Sequence, residues 1–153
     1  MDTYAASLVL YARQWCDVPE DIVQEAFLKL SCNAQPPLDA VAWLYRVVRN
    51  GALDAAKMAR RRHHHESAAA RVRWFVEPEL DGLDAQTAVR ALERLPPEQR
   101  EVIVARHWGG LNFDQIAEVA NCSASSAFRR YTAGVETLRK ILGVSCRNLS
   151  SND

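Results

Sequence analysis

The stretch LNFDQIAEVANCSASSAFRRYTAGVETLRK, Leu111 to Lys140, carries two helix-start signals with a turn residue between them. Asn112 and Gln115, three residues on, have the form of a capping box, in which each side chain satisfies a backbone N–H at a helix start. Ser123 is suited to cap a second helix. Asn121 tolerates the left-handed backbone that such a tight turn often needs. One helix from Phe113 to Ala120 therefore stops, turns and restarts at Ala124. Ile116, Ala117 and Ala120 face inward, and small Ala117 allows the second helix to come close. On that helix Ala124, Ala127, Tyr131, Val135, Leu138 and Leu142 share the core face. Ser125, Ser126, Arg129, Thr132 and Ala133 point away, with Arg130 at the edge. Short hydroxyls and arginines at an exposed helix start are what reading a DNA major groove requires. The competing reading is a helical hairpin that packs only against itself.

The rest of the chain is also helical in period, with no convincing strand alternation. A first helix is expected from Thr3 to Trp15. In DVPEDIVQEAFLKL, Asp17 stands near an N-cap, Pro19 in the first turn and acidic residues at the positive end of the helix dipole. Its apolar set is Ile22, Val23, Ala26, Phe27 and Leu30. The loop CNAQPPLDA follows, then a long helix from Asp39 to Arg62. ESAAARVRWFVEPELDGLDA breaks the pattern with Pro78 and Gly82 and turns acidic through Glu77, Glu79, Asp81 and Asp84. A second helical group begins at Ala85, with helices Ala85–Leu95 and Pro97–Trp108 ahead of the two already described. The fold class is all-α: two small helical domains joined by a short linker. Their spans are 1–65, a linker 66–84, a second domain 85–144 and a polar tail 145–153.

Lys+Arg and Asp+Glu both number 19 in the 153 residues, so the chain carries no net charge. Binding to a polyanion must come from a local patch or depend on a partner. One such patch exists. At about 100° per residue on the long helix, Leu44, Val47, Val48, Gly51, Ala52, Ala55, Met58 and Ala59 fall on one arc. Arg46, Arg49, Asn50, Lys57, Arg60 and Arg61 fall on the other, with Leu53 among them and Asp54 at the edge. A solvated face usually mixes both signs of charge, whereas this stripe is the electrostatic footprint of a nucleic-acid track. Trp43 and Tyr45 precede it and are able to stack on unpaired bases, although packing is the competing role for Trp43.

Metal and cofactor chemistry have little support. Cys16, Cys32, Cys122 and Cys146 form no CxxC pair, which suits a reduced cytosol better than a zinc ribbon or a disulfide framework. His63, His64 and His65 point about 100° apart on a helix and cannot all meet one ion. No nucleophile–base pairing or phosphate-cradling glycine loop is visible, so neither an enzyme nor a cofactor is expected. The first residues lack a basic n-region and no run is apolar enough to span a bilayer, which points to the cytoplasm and away from membrane insertion.

Three blocks in series, DVPEDIVQEAFLKL, AWLYRVVRNGALDAAK and ALERLPPEQREVIVARHWGGLNFDQIAEVANCSASSAFRRY, resemble the bacterial extracytoplasmic-function (ECF) RNA polymerase sigma factors of the sigma-70 family. The resemblance implies a region 2-like domain for core binding and the minus-ten element, and a region 4-like helix-turn-helix for the minus-thirty-five element. It implies a partner in the polymerase core, through the β′ clamp helices and the β flap, and promoter DNA; whether an anti-sigma factor exists is left open. Asp21, Gln24, Glu25 and Leu28 recur at i, i+3, i+4 and i+7 opposite the core face. A leucine inside a polar stripe suits a partner helix, and by resemblance that partner is the clamp. Arg46, Arg49, Asn50, Lys57, Arg60 and Arg61 take the minus-ten role, and Ser125, Ser126, Arg129 and Arg130 the recognition-helix role. The chain departs from the pattern in its short N-terminal extent, in the short CNAQPPLDA loop, which lacks aromatic and basic residues, and in Phe128, where many members carry arginine. The alternative function is a stand-alone helix-turn-helix regulator that binds an operator as a dimer.

Overall fold

The computed structural model describes residues 2–63, 87 and 90–143, and these are helical with short connections. The helices are α1 (Asp2–Ala12), α2 (Pro19–Ser31), α3 (Ala40–His63), α4 (Pro97–His107), α5 (Phe113–Ala120) and α6 (Ala124–Leu142), with a short helical piece at 90–93 before α4. The expected linker, the polar tail, His64, His65 and Cys146 lie outside the described residues.

Local chemistry sets most of the boundaries. Asn112 Oδ1 accepts from the Gln115 N–H at 2.8 Å while Gln115 Oε1 accepts from the Asn112 N–H at 2.9 Å, completing the capping box of α5. Asn121 closes α5 at φ 53°, and Ser123 caps α6 by accepting from the Ser126 N–H. Elsewhere the boundaries differ from expectation. Helix α1 ends at Ala12, and residues 13–15 form a turn. The cap of α2 is Val18, whose side chain makes no capping bond, and Asp17 lies outside; Pro19 needs no N–H partner, which lightens the demand for a cap. Helix α3 is capped by Asp39, whose Oδ1 accepts from the Ala42 N–H at 3.0 Å.

The two helical groups are packed on each other. Leu8, Tyr11, Tyr45, Val48 and Ala52 of the first group share one buried cluster with Val102, Ala105, Leu111 and Ile116 of the second. Helix α4 explains how. Residues Glu101 to Ala105 are buried in an unbroken run, and a helix buried all round must have neighbours on more than one side. Val102, Val104 and Ala105 enter the shared cluster, whereas Ile103 packs with Leu92 and Leu95 in a second one bordered by Tyr131, Val135 and Leu138. Two expected core residues are instead exposed. Met58 stands near the end of α3, where Lys57, Arg60 and Arg61 around it are exposed too, and Leu142 is the last residue of α6.

Gly109 sits where the end of α4 meets Tyr45 of α3. A Cβ there would stand 2.5 Å from the Ala105 carbonyl oxygen and 2.8 Å from both Leu111 Cδ1 and Tyr45 Oη. The backbone oxygen cannot swing aside as a side chain can. Gly109→Ala should therefore cost about 1–3 kcal/mol, the range for overpacking a tight site, read as a lower urea midpoint. An unchanged midpoint would mean that the α4 end has room the structure does not show.

Candidate nucleic-acid interface

Helix α3 presents its basic stripe in two unlike halves. Toward the C-terminal end Asn50, Lys57, Arg60 and Arg61 are exposed. Lys57 and Arg60, with Gln14, Trp15, Pro97 and Arg100, line a shallow cavity of about 230 Å³ where the two groups meet. Toward the N-terminal end the cations are occupied. Arg46 lies 3.5 Å from Glu118 of α5. Arg49 Nε donates to Glu101 Oε1 at 2.6 Å, with its Nη2 3.5 Å from Oε2. Tyr11 Oη donates to the same Oε1 at 2.6 Å. Glu101 is only 4% exposed, and the Arg49 guanidinium also lies 6.0 Å from the centre of the Trp15 ring.

The electrostatics follow from that burial. Loss of solvent, then the negative charge of Glu101, raises the Tyr11 hydroxyl well above the ordinary tyrosine range. Burial opposes the charge on Arg49, but the hydrogen bond and charge of Glu101 outweigh it and hold its pKa above the usual value. Tyr45, able on sequence grounds to stack on bases, is buried against Tyr11, with ring centres 5.0 Å apart. That placement withdraws Tyr45 from any surface.

On α6 Ser125 and Arg129 are exposed, while Ser126 and Arg130 are half-buried. Ser126 works within its own helix, where its Oγ accepts from the Ser123 hydroxyl at 2.9 Å and from Arg129 Nη2 at 3.2 Å. Phe128 is exposed, its ring edge-on to Phe113 at 5.3 Å. Helix α2 holds the third set. Asp21, Gln24, Glu25 and Leu28 are all exposed on the face opposite buried Val23 and Ala26, Leu28 to 59%. Glu25 pairs along the helix with Lys29 at 2.7 Å.

Glu101 and Tyr11 carry no local pattern that marks them in the sequence. The signal that does exist is the run Val102–Ala105, too apolar for a helix covered on one face only. No group of three or more metal-ligating side chains is found among the described residues, and none of their helices is long and apolar enough to cross a membrane.

These features define a class: all-helical proteins in which a capped helix-turn-helix accompanies a second helical group bearing an exposed basic helix. Residues 85–138 match the family described as Sigma-70, region 4. The ECF RNA polymerase sigma factor SigJ of Mycobacterium tuberculosis is 33% identical over 122 residues, covering 71% of this chain and 38% of SigJ. SigW of Bacillus subtilis is 27% identical over 143 residues, 80% of this chain and 74% of SigW. The sigma factor RpoE of Bartonella quintana, solved in complex with the anti-sigma factor NepR, shares the fold. Its TM-score is 0.66 at 24% identity, with 93% of each chain covered. Over most of its length the chain is thus similar to ECF sigma factors of the sigma-70 family, and residues 85–138 carry that family's region 4.

Proposed function

We propose that the chain is a promoter-specificity subunit, without catalytic activity of its own, that binds core RNA polymerase in the cytoplasm and lends it DNA-reading surfaces. On this reading residues 1–65 bind the β′ clamp and the minus-ten element, and residues 85–144 bind the β flap and the minus-thirty-five element. Asn50, Lys57, Arg60 and Arg61 serve the first element, and Ser125, Arg129 and Arg130 the second. An inhibitory protein, of the kind that NepR is to RpoE, is a further partner open to it.

The observation that carries the reading is the α2 stripe. A stand-alone operator-binding regulator has no use for an exposed leucine among Asp21, Gln24 and Glu25 on a helix remote from the helix-turn-helix. A subunit that docks on a partner helix does. The test is retention on immobilised core polymerase, followed by run-off transcription. The wild-type chain should be retained and direct initiation. Leu28→Asp should lose retention while its folding free energy stays within about 0.5 kcal/mol, as surface substitutions usually do. Sequence-specific operator binding by the chain alone, with no retention on core, would favour the dimeric regulator.

A further inference from the structure

One arginine cannot bond a buried carboxylate and a DNA phosphate at once. Arg49, in the N-terminal half of the basic stripe, is held by Glu101 of the other helical group, and Arg46 faces Glu118. Other polar contacts join the groups: Ser7 Oγ donates to the Trp108 carbonyl at 2.9 Å, and Gln115 Nε2 to Asp39 Oδ2 at 2.8 Å. We propose that Glu101, with Arg49 and Tyr11, is a latch that closes the two helical groups on each other and keeps the N-terminal half of the α3 stripe from DNA in the free chain. The inference rests on the reading of α3 as a nucleic-acid surface.

Pairing offsets the desolvation of Glu101 only in part, so the ion pair adds little net stability over an apolar contact of the same shape. Its effect is on choice of arrangement: once one partner is neutralised, the other is left charged in a dry interface, and the closed form is penalised while the open form is not. Tyr11 supports the carboxylate from α1, and the fit is tight, both bonds to Oε1 being 2.6 Å. Release uncovers Arg49 and at the same time frees the already exposed Arg46 from Glu118, because the two pair with α4 and α5 of the same helical group. The stripe then runs unbroken from Arg46 to Arg61.

The test uses the full chain and a fluorescein-labelled DNA duplex, with affinity, radius of gyration by small-angle X-ray scattering, and amide hydrogen exchange along α3 and α4. Glu101→Gln keeps the shape and removes the charge. It should enlarge the radius, speed exchange in both helices and tighten DNA binding about tenfold, the gain when an open form near a tenth of the population becomes dominant. Tyr11→Phe removes one hydrogen bond and should move all readouts the same way by less, which covers the case that Glu101→Gln fails to fold. An unchanged radius and exchange rate in both variants would overturn the latch. So would opening without tighter binding. The reading of α3 has its own control: Lys57→Ala and Arg60→Ala should weaken DNA binding of the closed wild-type chain. If they do not, it is the assignment of the stripe that fails, whatever Glu101 does.

Discussion

Tyr45→Ala should cost about 3–5 kcal/mol of folding free energy, the range for deleting a fully buried aromatic ring. Tyr45 is 1% exposed, stacks edge-on against Tyr11 and abuts Gly109. A domain stability of about 5–15 kcal/mol leaves little margin for such a loss, so the variant should melt far below the wild type in urea. A base-stacking residue would behave in the opposite way, keeping its stability and losing only affinity for unpaired DNA. The pH dependence has a definite sign. Burial pushes the Tyr45 hydroxyl from 10 up to about 12, so its neutral form is favoured in the fold. That contribution is complete below pH 10 and is lost as pH rises toward 12.

The second large effect is expected at Ile116. It is fully buried in the cluster that joins α3, α5 and α6. Ile116→Ala should cost about 2–5 kcal/mol, depending on how far the site collapses around the lost atoms. Met58→Ala is the contrast. The helical wheel puts Met58 on the core face of α3, yet it is 54% exposed, so its loss should stay within about 0.5 kcal/mol. Denaturant midpoints of the two variants side by side decide the matter; equal shifts would contradict this partition of core and surface.

Much of this fold is legible in the sequence because it rests on short-range chemistry. Asn112 with Gln115, Asn121 and Ser123 act within a turn of their own positions, and each does what its side chain allows. The α2 stripe and the far end of the α3 stripe are likewise matters of period, and Leu28, Lys57 and Arg61 are exposed as spacing demands. Arg49 and Tyr45 are different. The wheel places Arg49 on an outward arc, but outward from the first helical group is inward toward the second. Glu101, the decisive partner, stands 52 residues from Arg49 and 90 from Tyr11. Periodicity reports that a face is apolar or charged, never which distant element covers it. Asp17 shows a smaller failure of the same kind: two residues compete to start α2, and Pro19 fixes the start without a side-chain cap.

The short chain of bonds from Ser123 to Ser126 to Arg129 restrains an exposed arginine through hydroxyls that face their own helix. A free arginine side chain carries roughly 2 kcal/mol of rotamer entropy that binding must freeze out. Anchored to Ser126, Arg129 has given up part of that freedom while the helix folds, so less remains to be lost on contact with a base. Ser123 and Ser126 thus restrict in advance where the exposed Arg129 side chain can reach; on the function proposed above, the two hydroxyls tune which bases that arginine meets.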